Sequence, residues 1–109
     1  MKFKVLSIPP FDRQLKRLAK RYPSLKKDFS ELLESLAENP IQGTALGRNC
    51  YKVRFGIASK GKGKSGGGRV ITNLVVSSTT VFLISIYDKS EKAALSDREL
   101  FDLLKQVPD

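Results

Sequence analysis

The sequence predicts an α+β domain: an antiparallel sheet of about four strands with an N-terminal helical hairpin and a C-terminal helix, in the order β-α-α-β-β-β-α. Apolar residues recur at helical spacing before Pro40 and again after Ser96, and between them the period changes to two. Across all 109 residues there is no internal repeat, the only low-complexity piece is a Gly/Lys loop, and no domain boundary is visible, so residues 1–109 read as a single domain.

Each element follows in turn. KFKVLSI, residues 2–8, alternates loosely and suits a short strand that Pro9 and Pro10 end. Phe11, Leu15, Leu18 and Tyr22 then mark one face of a helix that Pro23 closes. Ser24 is the expected N-cap of a second helix, which carries Leu25, Phe29, Leu32, Leu33 and Leu36 and runs to Asn39 and Pro40. Ile41 to Asn49 reads as a loop. In CYKVRF, Tyr51, Val53 and Phe55 are expected in the core, with Cys50, Lys52 and Arg54 on an open face. RVITNLVV and TVFLISIY read as a hairpin turned at Ser77 to Thr79. Ser96 and Glu99 form a capping box for a last helix that buries Leu100, Leu103 and Leu104 and stops at Pro108. All helices are expected on one face of the sheet.

Composition removes several classes of function. With no histidine and only Cys50 as a thiol, the chain has no disulfide and no plausible zinc site, and no metal or cofactor is expected. No apolar run approaches the roughly 18 residues of a membrane span or resembles a secretory core, so a cytoplasmic location is expected. The net charge of +9 is unevenly placed. Between Glu38 and Asp88 there is no acidic residue, while Arg48, Lys52, Arg54, Lys60, Lys62, Lys64 and Arg69 all fall there. Such a concentration repels itself unless a polyanion or counterion is near; the alternative is a solubilising loop.

Two phosphate motifs nearly fit the centre of this window, ASKGKGKSGGGRV. Gly61, Gly63 and Gly66 satisfy G-x-G-x-x-G, and Gly56 to Lys62 satisfies most of a P-loop, with Gly63 where a metal-binding Ser or Thr belongs. Both motifs must open a helix whose amides hold the phosphate, and here RVITNLVV follows. What remains is a flexible cationic loop whose glycines allow close approach and whose lysines supply point charges, as in a clamp for a nucleic-acid backbone.

YKVRF, then ASKGKGKSGGGRVI, then FLISIYDKSEKAAL, in that order, resemble the RelE/HigB branch of the RelE/ParE toxin superfamily, over roughly residues 10–107. The resemblance implies a microbial-ribonuclease-like fold. It also implies the toxin of a type II toxin–antitoxin pair, an endoribonuclease that cleaves mRNA in the ribosomal A site, with the ribosome, mRNA and a cognate antitoxin as partners. A ParE-like gyrase inhibitor and a non-catalytic RNA-binding module are the alternatives.

A ribonuclease without histidine must find its acid, base and electrostatic groups among cations. A lysine crowded by other positive charges gives up its proton more readily, which makes Lys52, beside Arg54, the candidate for activating the 2′-hydroxyl; its other reading is a solubilising strand lysine. Arg54 and Arg69 suit the phosphorane, because a guanidinium binds two oxygens at once and stays charged. The resemblance ties Lys89 to the leaving group. Lys60, Lys62 and Lys64 are assigned to RNA binding, with Lys60 nearest the scissile bond. RelE proper has a functional tyrosine where this chain carries Leu95; Tyr87 either stacks on a base in its place or is a core-edge aromatic.

Overall fold

The computed structural model describes residues 2–61, 63–92 and 94–108. Its strands are β1 (Lys4–Ser7), β2 (Thr44–Gly47), β3 (Cys50–Phe55), β4 (Gly68–Val75) and β5 (Thr80–Asp88), joined in one sheet in the order β1-β5-β4-β3-β2. Helices α1 (Pro9–Arg21) and α2 (Leu25–Glu38) form the hairpin, and α3 (Asp97–Leu104) comes last. The fold is α+β, as the periodicity predicts, with five strands rather than four.

The two differences in the sheet have physical causes. β2 lies within the expected loop: all four of its residues are exposed, so no alternation marks it. It pairs antiparallel with β3, and left-handed Arg48 and Asn49 make the turn between them. β1 pairs parallel with β5 rather than antiparallel, because α1 and α2 carry the chain away before β5 arrives beside it. Pro9 and Pro10 both end β1 and occupy the first turn of α1, where a missing N–H leaves no bond unmade.

β5 is buried at every one of its positions, so both faces of the sheet centre are covered. Val53, Val70 and Ile86 stand in register on the face that meets the hairpin, under Phe11, Leu18, Leu25 and Phe29. Arg54, Arg69 and Tyr87 stand in register on the other. There Leu95 and Leu100 join the core, and Glu99 of α3 comes near the Tyr87 phenol. The expectation of helices on one face is therefore corrected: α3 lies across from the hairpin. Its capping box is present as expected, Ser96 Oγ accepting from the Glu99 amide at 3.1 Å and Glu99 accepting from the Ser96 amide at 3.1 Å. β5 also inserts Ile84 as a bulge, and the freed Ile86 amide donates to Gln14 Oε1 of α1 at 2.9 Å.

Ser24 precedes α2 but does not cap it. Its Oγ donates to Asp28 Oδ2 (2.7 Å) and accepts from the Ser59 amide (2.9 Å), while Asp28 accepts from the Ala58 amide (3.0 Å). The start of α2 thus holds a 3-10 turn, Ala58–Lys60, at the root of the basic loop.

A buried carboxylate holds the same root from the opposite side. Asp88, at the end of β5, has no exposed side-chain surface and accepts from Lys60 Nζ (2.6 Å), from the Ser90 amide (3.0 Å) and hydroxyl (2.8 Å), and from the Tyr22 hydroxyl. Burial alone would raise its pKa, but the donors from Lys60, Tyr22 and Ser90 outweigh burial and hold it well below the ordinary carboxylate value. The hydrogen bond to this carboxylate in turn raises the Tyr22 phenol. One side chain joins α1, β5 and the loop.

Asp88→Asn leaves the Lys60 ammonium buried without its counter-charge and should lower stability to urea by about 3–5 kcal/mol, whereas exposed Glu34→Gln should change it by less than about 0.5 kcal/mol. Because the folded-state pKa of Asp88 is depressed, its contribution is complete above about pH 4 and is lost as pH falls through the lower folded value. Acid titration of stability should therefore be shallower in Asp88→Asn than in the parent below about pH 4.

Candidate active site

Strand register brings the cations together. Lys52 and Arg54 project from the same side of β3, and Arg54 pairs directly with Arg69 of β4, which pairs in turn with Tyr87 of β5. Lys89 lies one residue beyond β5. Lys52 is half-buried, and Arg54 is exposed. The backbone of Lys52 is held closely by Gly43, which has φ +88°; a Cβ there would lie 2.2 Å from the Lys52 carbonyl oxygen. Arg54 also borders a groove of 220 Å³ against α2, shared with Glu31, Ser35, Gln42 and Lys64.

Arg69 is only 4% exposed. Its Nη1 donates to the Lys64 carbonyl at 3.0 Å and the Gly68 carbonyl at 2.9 Å, and its Nη2 to the Ser65 carbonyl at 3.4 Å. Lys89 Nζ donates to the same Ser65 carbonyl at 3.0 Å. Burial, followed by the nearby charge of Arg54, pushes the Arg69 pKa down from its usual value. Among the described residues, Lys52, Arg54, Lys64, Arg69 and Lys89 form no ion pair with a carboxylate. Their charge is met by carbonyl dipoles and solvent.

The loop between β3 and β4 is fixed at both ends. Besides the contacts to Ala58 and Ser59, Gly67 lies so close to β3 that a Cβ on it would be 2.3 Å from the Phe55 carbonyl oxygen. The Gly67 carbonyl accepts from the Lys89 amide at 3.1 Å. Between these ends Gly61, Gly63, Lys64 and Ser65 are exposed. β4 begins directly at Gly68, so neither phosphate motif opens a helix.

Two expected RNA contacts are corrected. Lys60 does not face solvent: its side chain is 9% exposed and its ammonium is held by Asp88, with Ser90 Oγ at 3.2 Å and the Tyr22 ring at 5.7 Å. Tyr87 is 5% exposed, which leaves no ring face for a base, and it takes the core-edge place of its two readings. Its hydroxyl has no hydrogen-bond partner among the described residues, and burial raises its pKa. Lys64 is exposed, and Lys62 lies outside the described residues. Cys50, expected on the open face, is 1% exposed beside Asn73 Nδ2 (3.4 Å), and burial raises its thiol, which leaves it unreactive. Sequence reasoning missed Asp88 as the anchor of Lys60. The only signal was that it is the first acid after the basic window.

Filling the space at Gly67 should loosen this arrangement. Gly67→Ala is expected to cost about 1–3 kcal/mol and to speed amide hydrogen exchange in residues 61–67 more than in β5, as read by mass spectrometry.

The chain is similar to several solved structures. An arginine double mutant of Escherichia coli toxin RelE in the free state shares 20% identity with a TM-score of 0.64, covering 99% of this chain and 100% of that one. The toxin–antitoxin complex RelBE2 of Mycobacterium tuberculosis gives 18% identity and 0.62, covering 81% and 92%. The intact E. coli RelBE complex gives 17% and 0.61, covering 79% and 95%. No curated protein matches the chain in sequence. At these identities the likeness establishes the fold; the family follows from the sequence itself. Residues 11–107 match the family described as the RelE toxin of the RelE/RelB toxin–antitoxin system, and the chain belongs to that family.

Proposed function

We propose that this chain is a ribosome-dependent mRNA endonuclease and the toxin of a type II pair, acting in the cytoplasm and held inactive by a cognate antitoxin. One observation carries the reading: Lys52 and Arg54 share one side of β3, Arg54 pairs with Arg69, Arg69 and Lys89 meet at the Ser65 carbonyl, and among the described residues no carboxylate is bridged to any of the four. Such a cluster is costly to assemble and suits an anionic transition state. Solved relatives of the same fold in complex with antitoxins support the partner.

In this reading the mRNA backbone crosses the open face of β3. Lys52 takes the proton of the 2′-hydroxyl while the hydroxyl oxygen attacks the adjacent phosphorus. Arg54 meets the charge that builds on the phosphorane oxygens, and Arg69 supports it from below. Lys89 gives its proton to the departing 5′-oxygen as the P–O bond breaks. The products are a 2′,3′-cyclic phosphate and a 5′-hydroxyl, with one proton taken and one returned. Lys62 and Lys64 supply sequence-independent contacts to flanking phosphates. The ribosome's part is to align the reacting hydroxyl, which a surface site with no imidazole does poorly by itself.

Purified protein added to translating ribosomes should cut mRNA at the A site. Arg54→Ala is the cleanest variant, because the side chain is exposed and anchors nothing else. It should lower the cleavage rate about 10²–10³-fold with an unchanged circular dichroism spectrum. Inhibition of DNA gyrase without RNA cleavage, or tight RNA binding without cuts, would overturn the reading.

A further inference from the structure

We propose that the Ser65 carbonyl oxygen occupies a phosphate-oxygen subsite, so that the chain's own backbone fills the anion site until the loop tip withdraws. The inference rests on the proposed endonuclease reading for the identity of the anion, a nucleic-acid phosphodiester.

Four features point to it. The Ser65 oxygen receives Lys89 Nζ at 3.0 Å and Arg69 Nη2 at 3.4 Å, which is how an ammonium and a guanidinium share one non-bridging phosphate oxygen. The Lys64 and Gly68 carbonyls on Arg69 Nη1, at 3.0 and 2.9 Å, complete a ring of oxygens around the guanidinium. All are neutral dipoles, and exchanging one for a formal anion strengthens every bond it makes. Among the described residues no carboxylate bridges Arg69 or Lys89, and Asp88, the nearest acid in sequence, is turned to the hairpin face and committed to Lys60 and Tyr22.

The loop is built to release this oxygen. Its ends are fixed by Asp28, Asp88 and the closely packed Gly67. The tip is retained by the Arg69 and Lys89 bonds to Lys64 and Ser65 and by a long 3.4 Å bond from the Gly67 amide to the Lys64 carbonyl. Gly61 and Gly63 sit in the left-handed region, which gives the tip hinges without a side-chain penalty. A site filled by its own chain binds with its intrinsic affinity reduced by the fraction of molecules that are open.

The test uses the full chain and a 2′-O-methyl RNA tetranucleotide, which binds through phosphates and cannot be cleaved. Titration should shift the Arg69 guanidinium NMR resonances and speed tryptic cutting after Lys64, as the tip is displaced. Lys89→Met should weaken binding about tenfold, clearly more than Lys20→Met, which removes one exposed charge from α1. An unmoved Arg69 signal, a tip that becomes better protected on binding, or equal losses in the two lysine variants would overturn the subsite. Binding with all three signatures but no cuts on ribosomes would support the subsite and overturn the endonuclease reading, so the two fail separately.

Discussion

The arrangement depends on a single buried carboxylate. Asp88 is the first acid after a window rich in cations, and it compensates one of them, Lys60, from inside the protein. A paired charge of this kind is expensive to desolvate and contributes more to specificity of position than to net stability. The position it specifies is the beginning of the basic loop, tied at once to α1 through Tyr22 and to the end of β5. With the loop ends placed, Arg69 and Lys89 have somewhere to donate, and Arg54 and Lys64 are left facing outward.

Lys60 and Lys64 of the loop divide according to this constraint. Lys60 is drawn inward and becomes part of the scaffold, while Lys64 keeps its side chain in solvent and lends only its carbonyl to Arg69. Equal residue types four positions apart therefore have different roles, set by which one lies within reach of Asp88. The arginines divide in the same way. Arg54 is open and Arg69 covered, although the two are cross-strand neighbours, because the loop folds back over β4 and leaves the β3 side of the row exposed.

Much of this was legible where local patterns decide the structure. The alternation in CYKVRF placed Lys52 and Arg54 together, the absence of a helix after the glycines excluded both nucleotide motifs, and the Ser96–Glu99 box marked the start of α3. Illegible features were those fixed by distant partners. β2 has four exposed residues and exists only because β3 offers it an edge. Ser24 sits where an N-cap belongs, yet its hydroxyl is claimed by Asp28 and Ser59, the latter on another segment. Cys50 has the parity of an open-face residue but lies under the β2–β3 turn beside Asn73. Lys60 and Asp88 are far apart in the chain, and no periodicity links them.

The parallel pairing of β1 with β5 has a consequence for biosynthesis. Residues 4–7 must wait for residues 80–83 before they gain a strand partner, and the same late segment supplies Asp88 and the middle of the core. Contacts this remote in sequence close slowly, and during synthesis they cannot form until β5 has left the exit tunnel. Until β5 emerges, Lys60 lacks Asp88 and Arg69 lacks its Tyr87 neighbour, so a nascent chain carries the basic loop before it can carry an assembled basic pocket.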